Sequence, residues 1–371
     1  MAWDPDPVQL AEFTAALSLA ADMAAGLSLD HGLRCCLLAT RLAARAGLGP
    51  GELRDVYYVA LLRSIGCTSD AHEQAELFSD EIAARAELNL APHLPPRELL
   101  GALSRHSGAG SPPARRARAV GRTLAAARTM PRQIATAHCE TAQRLADRLS
   151  LPAGVSVSLY SVFERWDGKG FPAGVGGGQI PVAARFAQVS YDALLLAEHL
   201  GGTERVGKLA GTRYDPDVAA LLAPGDAAGV LDLVTPWDEV LACEPGGPTA
   251  LTDGQLDRAC EAAADFADLK SPWLLGHSRG VAELAEAAAW RAGPATARSP
   301  GSSGSRRRRR VITCSTSTPR SAFRPGQRLR CSRWSTVCWS PSRRGAGQRG
   351  GKGGTAACER TGPASTVTGT A

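Results

Sequence analysis

Apolar positions recur at helical spacing through most of the first 300 residues. Residues 8–25, V-Q-L-A-E-F-T-A-A-L-S-L-A-A-D-M-A-A, place apolar side chains on one helical face, and Gly26 stops the run. A second run over 31–46 ends at Gly47 in the manner of a C-terminal glycine. The same pattern predicts helices over 51–66, 70–87, 132–150, 152–166 and 181–200, with shorter ones over 214–223, 225–234 and 252–270. Pro95-Pro96 and the segment 108–113, G-A-G-S-P-P, read as punctuation between helices. Val-rich alternation of the strand kind is nearly absent. The expected fold class is all-α. No apolar run approaches the length of a bilayer-spanning helix, and M-A-W-D-P-D-P has no basic region ahead of an apolar stretch. A cytoplasmic protein without a membrane partner is the expectation.

Charge divides the chain. Residues 1–297 have a net charge of −9 and residues 298–371 one of +15, which together make the overall +6. The second part is rich in Arg, Ser, Gly and Thr, lacks apolar periodicity and has Glu359 as its single acid, so a disordered basic tail is expected. Its run Arg306–Arg310 raises a nucleic-acid partner, but a basic run produced by a shifted reading frame needs none. The ten cysteines show neither disulfide nor metal-ligand spacing, and fit small buried hydrophobes in a reducing compartment.

The most specific stretch is Glu164-Arg165-Trp166-Asp167-Gly168-Lys169-Gly170-Phe171-Pro172, followed by Gly174 and by I-P-V-A-A-R ending at Arg185. D-G and K-G pairs also mark ordinary turns. The full run resembles the signature of the HD-GYP family, metal-dependent phosphodiesterases known for hydrolysing cyclic di-GMP. That resemblance implies an HD-type helical bundle, a cluster of divalent iron or manganese, and a glycine-rich loop that approaches the substrate or docks a partner protein. Such a cluster supplies a hydroxide at neutral pH and needs imidazole and carboxylate ligands.

Carried over position by position, the resemblance leaves His31, His138 and Asp192 as residual metal ligands. The His-Asp doublet of the family is replaced by Arg63-Ser64, its His-His pair by Val162-Phe163, and the Asp of its A-D helix by Tyr191, with Asp192 one residue on. Arg63 would set a fixed positive charge where a cation should sit, so loss of metal catalysis is expected. His31 and His138 equally fit hydrogen-bonded core histidines. Glu164, Asp167 and Lys169 either hold the loop or serve docking, with Gly168 and Gly170 permitting its conformation. His72, His93, His106 and His199 read as surface or capping residues.

A repeat emerges 246 residues apart. His31 aligns with His277, Ala21-Asp22-Met23 with Ala267-Asp268-Leu269, and Arg45-Ala46-Gly47 with Arg291-Ala292-Gly293. The expected organisation is a degenerate HD-GYP-type domain over 1–245, the opening helices of a second copy over 250–297, and the tail over 298–371. The position 246 residues beyond Arg63 falls inside the arginine run, where the composition changes abruptly. A shifted reading frame in a G+C-rich gene accounts for that change. Two functions stay open: a regulatory or interaction module with a signalling partner or self-association, and an active metal-dependent phosphohydrolase on cyclic dinucleotides or other phosphoesters.

Overall fold

In the computed structural model, helices follow one another from Leu10 to Ala292 with no strand among the described residues, which are 7–292. These lie within the first of two units, Met1–Gly304; the second, Ser305–Ala371, is outside the described residues. The tail over 298–371 and its arginine run are therefore outside them as well. The helices are α1 Leu10–Ala25, α2 His31–Arg45, α3 Pro50–Leu62, α4 Ala71–Leu77, α5 Glu81–Leu88, α6 Pro96–His106, α7 Pro113–Ala126, α8 Met130–Arg148, α9 Ala153–Tyr160, α10 Val182–Leu200, α11 Glu204–Lys208, α12 Pro216–Ala220, α13 Asp226–Leu231, α14 Pro236–Ala242, α15 Asp253–Asp268 and α16 His277–Ala292. None is long and apolar enough to cross a membrane.

Local chemistry sets the ends. Glu12 reaches back to the Gln9 amide at the start of α1, and Gly26 closes that helix in the left-handed region. Glu52 does the same for the Gly49 amide ahead of Pro50. α2, α3 and α10 pack against one another at the centre, where Leu38, Leu42, Tyr57, Leu61, Phe186 and Leu194 are buried. Burying each large apolar side chain of this kind stabilises the fold by roughly 1.5–3 kcal/mol. α1 and α14 cover α2, and α9 joins α3 to α8. Phe78, Ala84 and Leu103 form a small satellite core among α4–α6.

The structure departs from the sequence expectations at several points: α3 ends at Leu62 rather than near 66, and α11 and α14 form where no helix is expected. The helix expected over 70–87 is broken at Phe78–Asp80. Phe78 turns extended and buries its ring, and the Asp80 carboxylate caps α5 by accepting from the Ala83 amide at 2.9 Å. The proline segments at 95–96 and 112–113 start helices rather than merely separating them, because Pro at the first helical position has no amide to lose. α9 ends at Tyr160, not near 166. The Gln188 side-chain amide of α10 lies 3.3, 3.2 and 2.8 Å from the carbonyls of Ser161, Val162 and Glu164, giving them partners outside a helix.

α15 adds Ala259, Ala262 and Phe266 to the central core and packs on α8, while residues 8–10 bond to 249–251. The α15–α16 hairpin also repeats a bond of the α1–α2 hairpin. Asp22 accepts from the Gly32 amide at 2.9 Å, and Asp268 accepts from the Ser278 amide at 3.0 Å and its hydroxyl at 2.6 Å, ten residues on in each case. His277, unlike His31, is exposed.

Candidate functional site

The chemistry-bearing residues converge where the end of α3 meets α2, α8 and α10. Arg63 follows the last turn of α3 and is 4% exposed. Its guanidinium carbon lies 3.5 Å from the centre of the Tyr191 ring and 5.4 Å from that of Phe163. His31, at the start of α2, meets the same Tyr191 ring edge-on with centres 4.6 Å apart. Its Nδ1 is 4.0 Å from Glu198, and neither ring nitrogen makes a hydrogen bond among the described residues. His138 of α8 bonds through Nε2 to the Arg63 carbonyl at 2.7 Å, with Cys67 Sγ 3.6 Å from Nδ1. Close approach makes this possible: a Cβ on Gly66 would stand 2.2 Å from the His138 carbonyl oxygen.

Burial, with Arg63 next, lowers the His31 pKa to about 3. For His138 burial also dominates, the bond to the Arg63 carbonyl opposes it, and the value again falls to about 3. Both imidazoles are therefore neutral at neutral pH.

Asp192, although next to Tyr191, belongs to a separate network. Its Oδ2 accepts from Tyr214 at 2.5 Å and from Arg213 Nε at 3.0 Å, with His93 Nε2 at 3.6 Å. Burial works to raise its pKa, but Arg213 above all, with His93 and Arg63, outweighs it and holds the carboxyl well below the usual carboxylate range. His93 is thus a core residue in this network, not the surface residue its polar loop context implied. Its partners come from α10 and the 213–214 segment, about a hundred residues away, and no local spacing signals them. His106 pairs with Glu87 at 2.8 Å, while His72 and His199 are exposed.

These residues do not fit a divalent metal cluster. Arg63 sets its charge against the Tyr191 and Phe163 faces, the His138 Nε2 is spent on a carbonyl, and the Asp192 carboxylate is held by Arg213 and Tyr214. Among the described residues no three His, Cys, Asp or Glu side chains converge as ligands.

The signature loop is closed on itself. Glu164 is buried, and its Oε1 accepts from the amides of Ala173 at 2.7 Å and Gly174 at 3.0 Å. Asp167 takes a two-pronged bond from Arg165 at 3.0 and 2.8 Å and one from the Lys169 amide at 3.1 Å. Arg165 and the Lys169 amide hold its carboxyl below the usual range against burial. The Lys169 side chain itself is exposed. Gly168 has φ 72°, and a Cβ on Gly170 would come within 2.4 Å of Glu164 Cα, so both positions require glycine. Phe171 bonds its amide to the Phe163 carbonyl at 3.1 Å, and the Pro172 carbonyl accepts from Arg132 at 3.3 Å. Arg185 braces the loop from α10, donating to the carbonyls of Ile180 at 2.7 Å and Gly178 at 2.9 Å and pairing with Asp215 at 3.2 Å.

The helical arrangement is a shared one. A crystal structure of cyclic GMP-AMP specific phosphodiesterases of V. cholerae (V-cGAP3) superposes with a TM-score of 0.56 at 21% identity, over 75% of this chain and 64% of that one. In sequence, the chain is 23% identical over 284 residues to "3'3'-cGAMP-specific phosphodiesterase 3" of Vibrio cholerae serotype O1, covering 74% of this chain. The chain spans about three fifths (61%) of that relative's length. No protein-family model matches the chain.

Proposed function

We propose that this chain is a non-catalytic HD-GYP-type module, related to cyclic-dinucleotide phosphodiesterases and acting as a regulatory or interaction unit. The observation that carries this reading is Arg63: a buried guanidinium stacked on Tyr191 stands where the resemblance expects the His-Asp metal ligands. A cation of fixed charge at that point repels a divalent metal and cannot ligate it. The likeness to the V. cholerae phosphodiesterase and the E-R-W-D-G-K-G-F-P loop support the kinship. The Asp22–Gly32 and Asp268–Ser278 bonds support a tandem origin, with α15–α16 the opening of a second copy. The closed loop, with Lys169 and Ala173 exposed, suits docking of a partner protein. The second reading, an active metal-dependent phosphohydrolase, has the phosphodiesterase relative in its favour.

The full chain loaded with manganese or iron separates the two. Incubated with 3'3'-cGAMP or cyclic di-GMP, it is expected to release no linear dinucleotide. Metal-dependent turnover that is abolished by His31→Ala or His138→Ala would establish the phosphohydrolase instead.

A further inference from the structure

We propose that Arg63, with His31 beside it, is an oxyanion-binding site that takes a single phosphate group. This rests on the reading above that Arg63, not a metal, supplies the positive charge here.

Arg63 is 4% exposed, yet its side chain makes neither an ion pair nor a hydrogen bond among the described residues, and its Nε is enclosed without a partner. An ionised group removed from water is retained where it is paired or hydrogen-bonded. The guanidinium carbon lies over the Tyr191 ring, whose face attracts the charge, while the N–H donors in the plane of the group make no hydrogen bond among the described residues. None of the nearby carboxylates bonds to Arg63: Asp192 is held by Arg213 and Tyr214, Asp70 by Arg85, and Asp22 by the Gly32 amide through one oxygen, its Oδ1 making no hydrogen bond. His31, packed on the same Tyr191 ring, has both ring nitrogens enclosed and without hydrogen bonds. Its neutral form offers one N–H donor. Tyr191 thus contacts both a guanidinium and an imidazole that make no side-chain hydrogen bond among the described residues, the Glu198 carboxylate standing 4.0 Å from His31 Nδ1. A water molecule would accept from two donors at most and leave the charge unneutralised. The oxygens of a phosphate match the planar fork of arginine and neutralise it.

The phosphate could be free inorganic phosphate or the phosphodiester of a cyclic dinucleotide, and calorimetric titration of the full chain in chelator-containing buffer distinguishes them. Saturable binding of inorganic phosphate is expected, weakened at least tenfold in Arg63→Gln, which is about 1.4 kcal/mol. Arg63→Lys, which keeps the charge but not the fork, falls between. Competition between phosphate and 3'3'-cGAMP would identify the phosphodiester as the source; phosphate binding without 3'3'-cGAMP binding would identify the free anion. Arsenate diffused into crystals of the unmodified chain gives a readout independent of any variant, with an anomalous peak expected against the Arg63 guanidinium. Absence of saturable phosphate binding, binding undiminished in Arg63→Gln, or an arsenate peak elsewhere alone overturns the proposal. Phosphate binding that appears only with added manganese and disappears with chelator refutes the metal-free reading beneath it.

Discussion

Replacing Arg213 by Met tests the electrostatics around Asp192 most directly. The Asp192 side chain is 2% exposed and that of Arg213 20%. Removing one partner of a buried pair costs about 3–5 kcal/mol, because the remaining charge stays desolvated. Tyr214 and His93 still face Asp192 in the variant, and Arg213 is at the wetter side, so about 3 kcal/mol is expected. That is a large share of a typical stability of about 5–15 kcal/mol. Urea denaturation of the full chain, Arg213→Met, Asp192→Asn and the double variant gives the coupling, expected near 2 kcal/mol. The sign of the pH effect is an independent check. With Arg213 present the folded pKa of Asp192 is depressed, so its contribution is complete above the unfolded value of about 3.9 and is lost as pH falls below it. Without Arg213, burial raises that pKa and Asp192 can take up a proton, so the cost of Arg213→Met shrinks toward acid pH. A cost below about 1 kcal/mol that is equal at neutral and acid pH would refute the reasoning.

Three further outcomes are expected. His31 and His138 are buried neutral with pKa values of about 3 against about 6.5 unfolded, so stability falls as pH drops below about 6.5 toward about 3. His138→Gln, which can still donate to the Arg63 carbonyl, should remove up to one proton from that slope, and an unchanged slope contradicts the assignment. Gly170→Ala sets a Cβ against the backbone of Glu164 and Arg165 and should destabilise by about 1–3 kcal/mol in thermal unfolding, with helical circular dichroism retained. Phe266→Ala, in the α15 face that packs into the central core, should cost about 3 kcal/mol in the main unfolding transition; no change would show that the hairpin folds apart from that core.

The all-α class, most of the long helices and the signature loop could be read from the chain because each depends largely on neighbours in sequence. The 3.6-residue apolar period marks which face is buried, Gly26 and Gly47 end helices through their own backbone freedom, and the Glu164 and Asp167 carboxylates bond within ten residues. That Arg63-Ser64 stands in the register where the HD-GYP resemblance expects a His-Asp doublet is an expectation from the chain alone. What Arg63 does instead could not be read from it. Its Tyr191 partner is 128 residues away, and Asp192, adjacent to Tyr191, is drawn into a different network by Arg213 and His93. The early end of α9 depends on Gln188, and the burial of α15 depends on α8, both far along the chain. Local spacing specifies where a side chain leaves the backbone. Which desolvated groups it meets there is decided by the packing of helices whose contacts are distant in sequence, and that packing sets both the pKa values and the partners of the site.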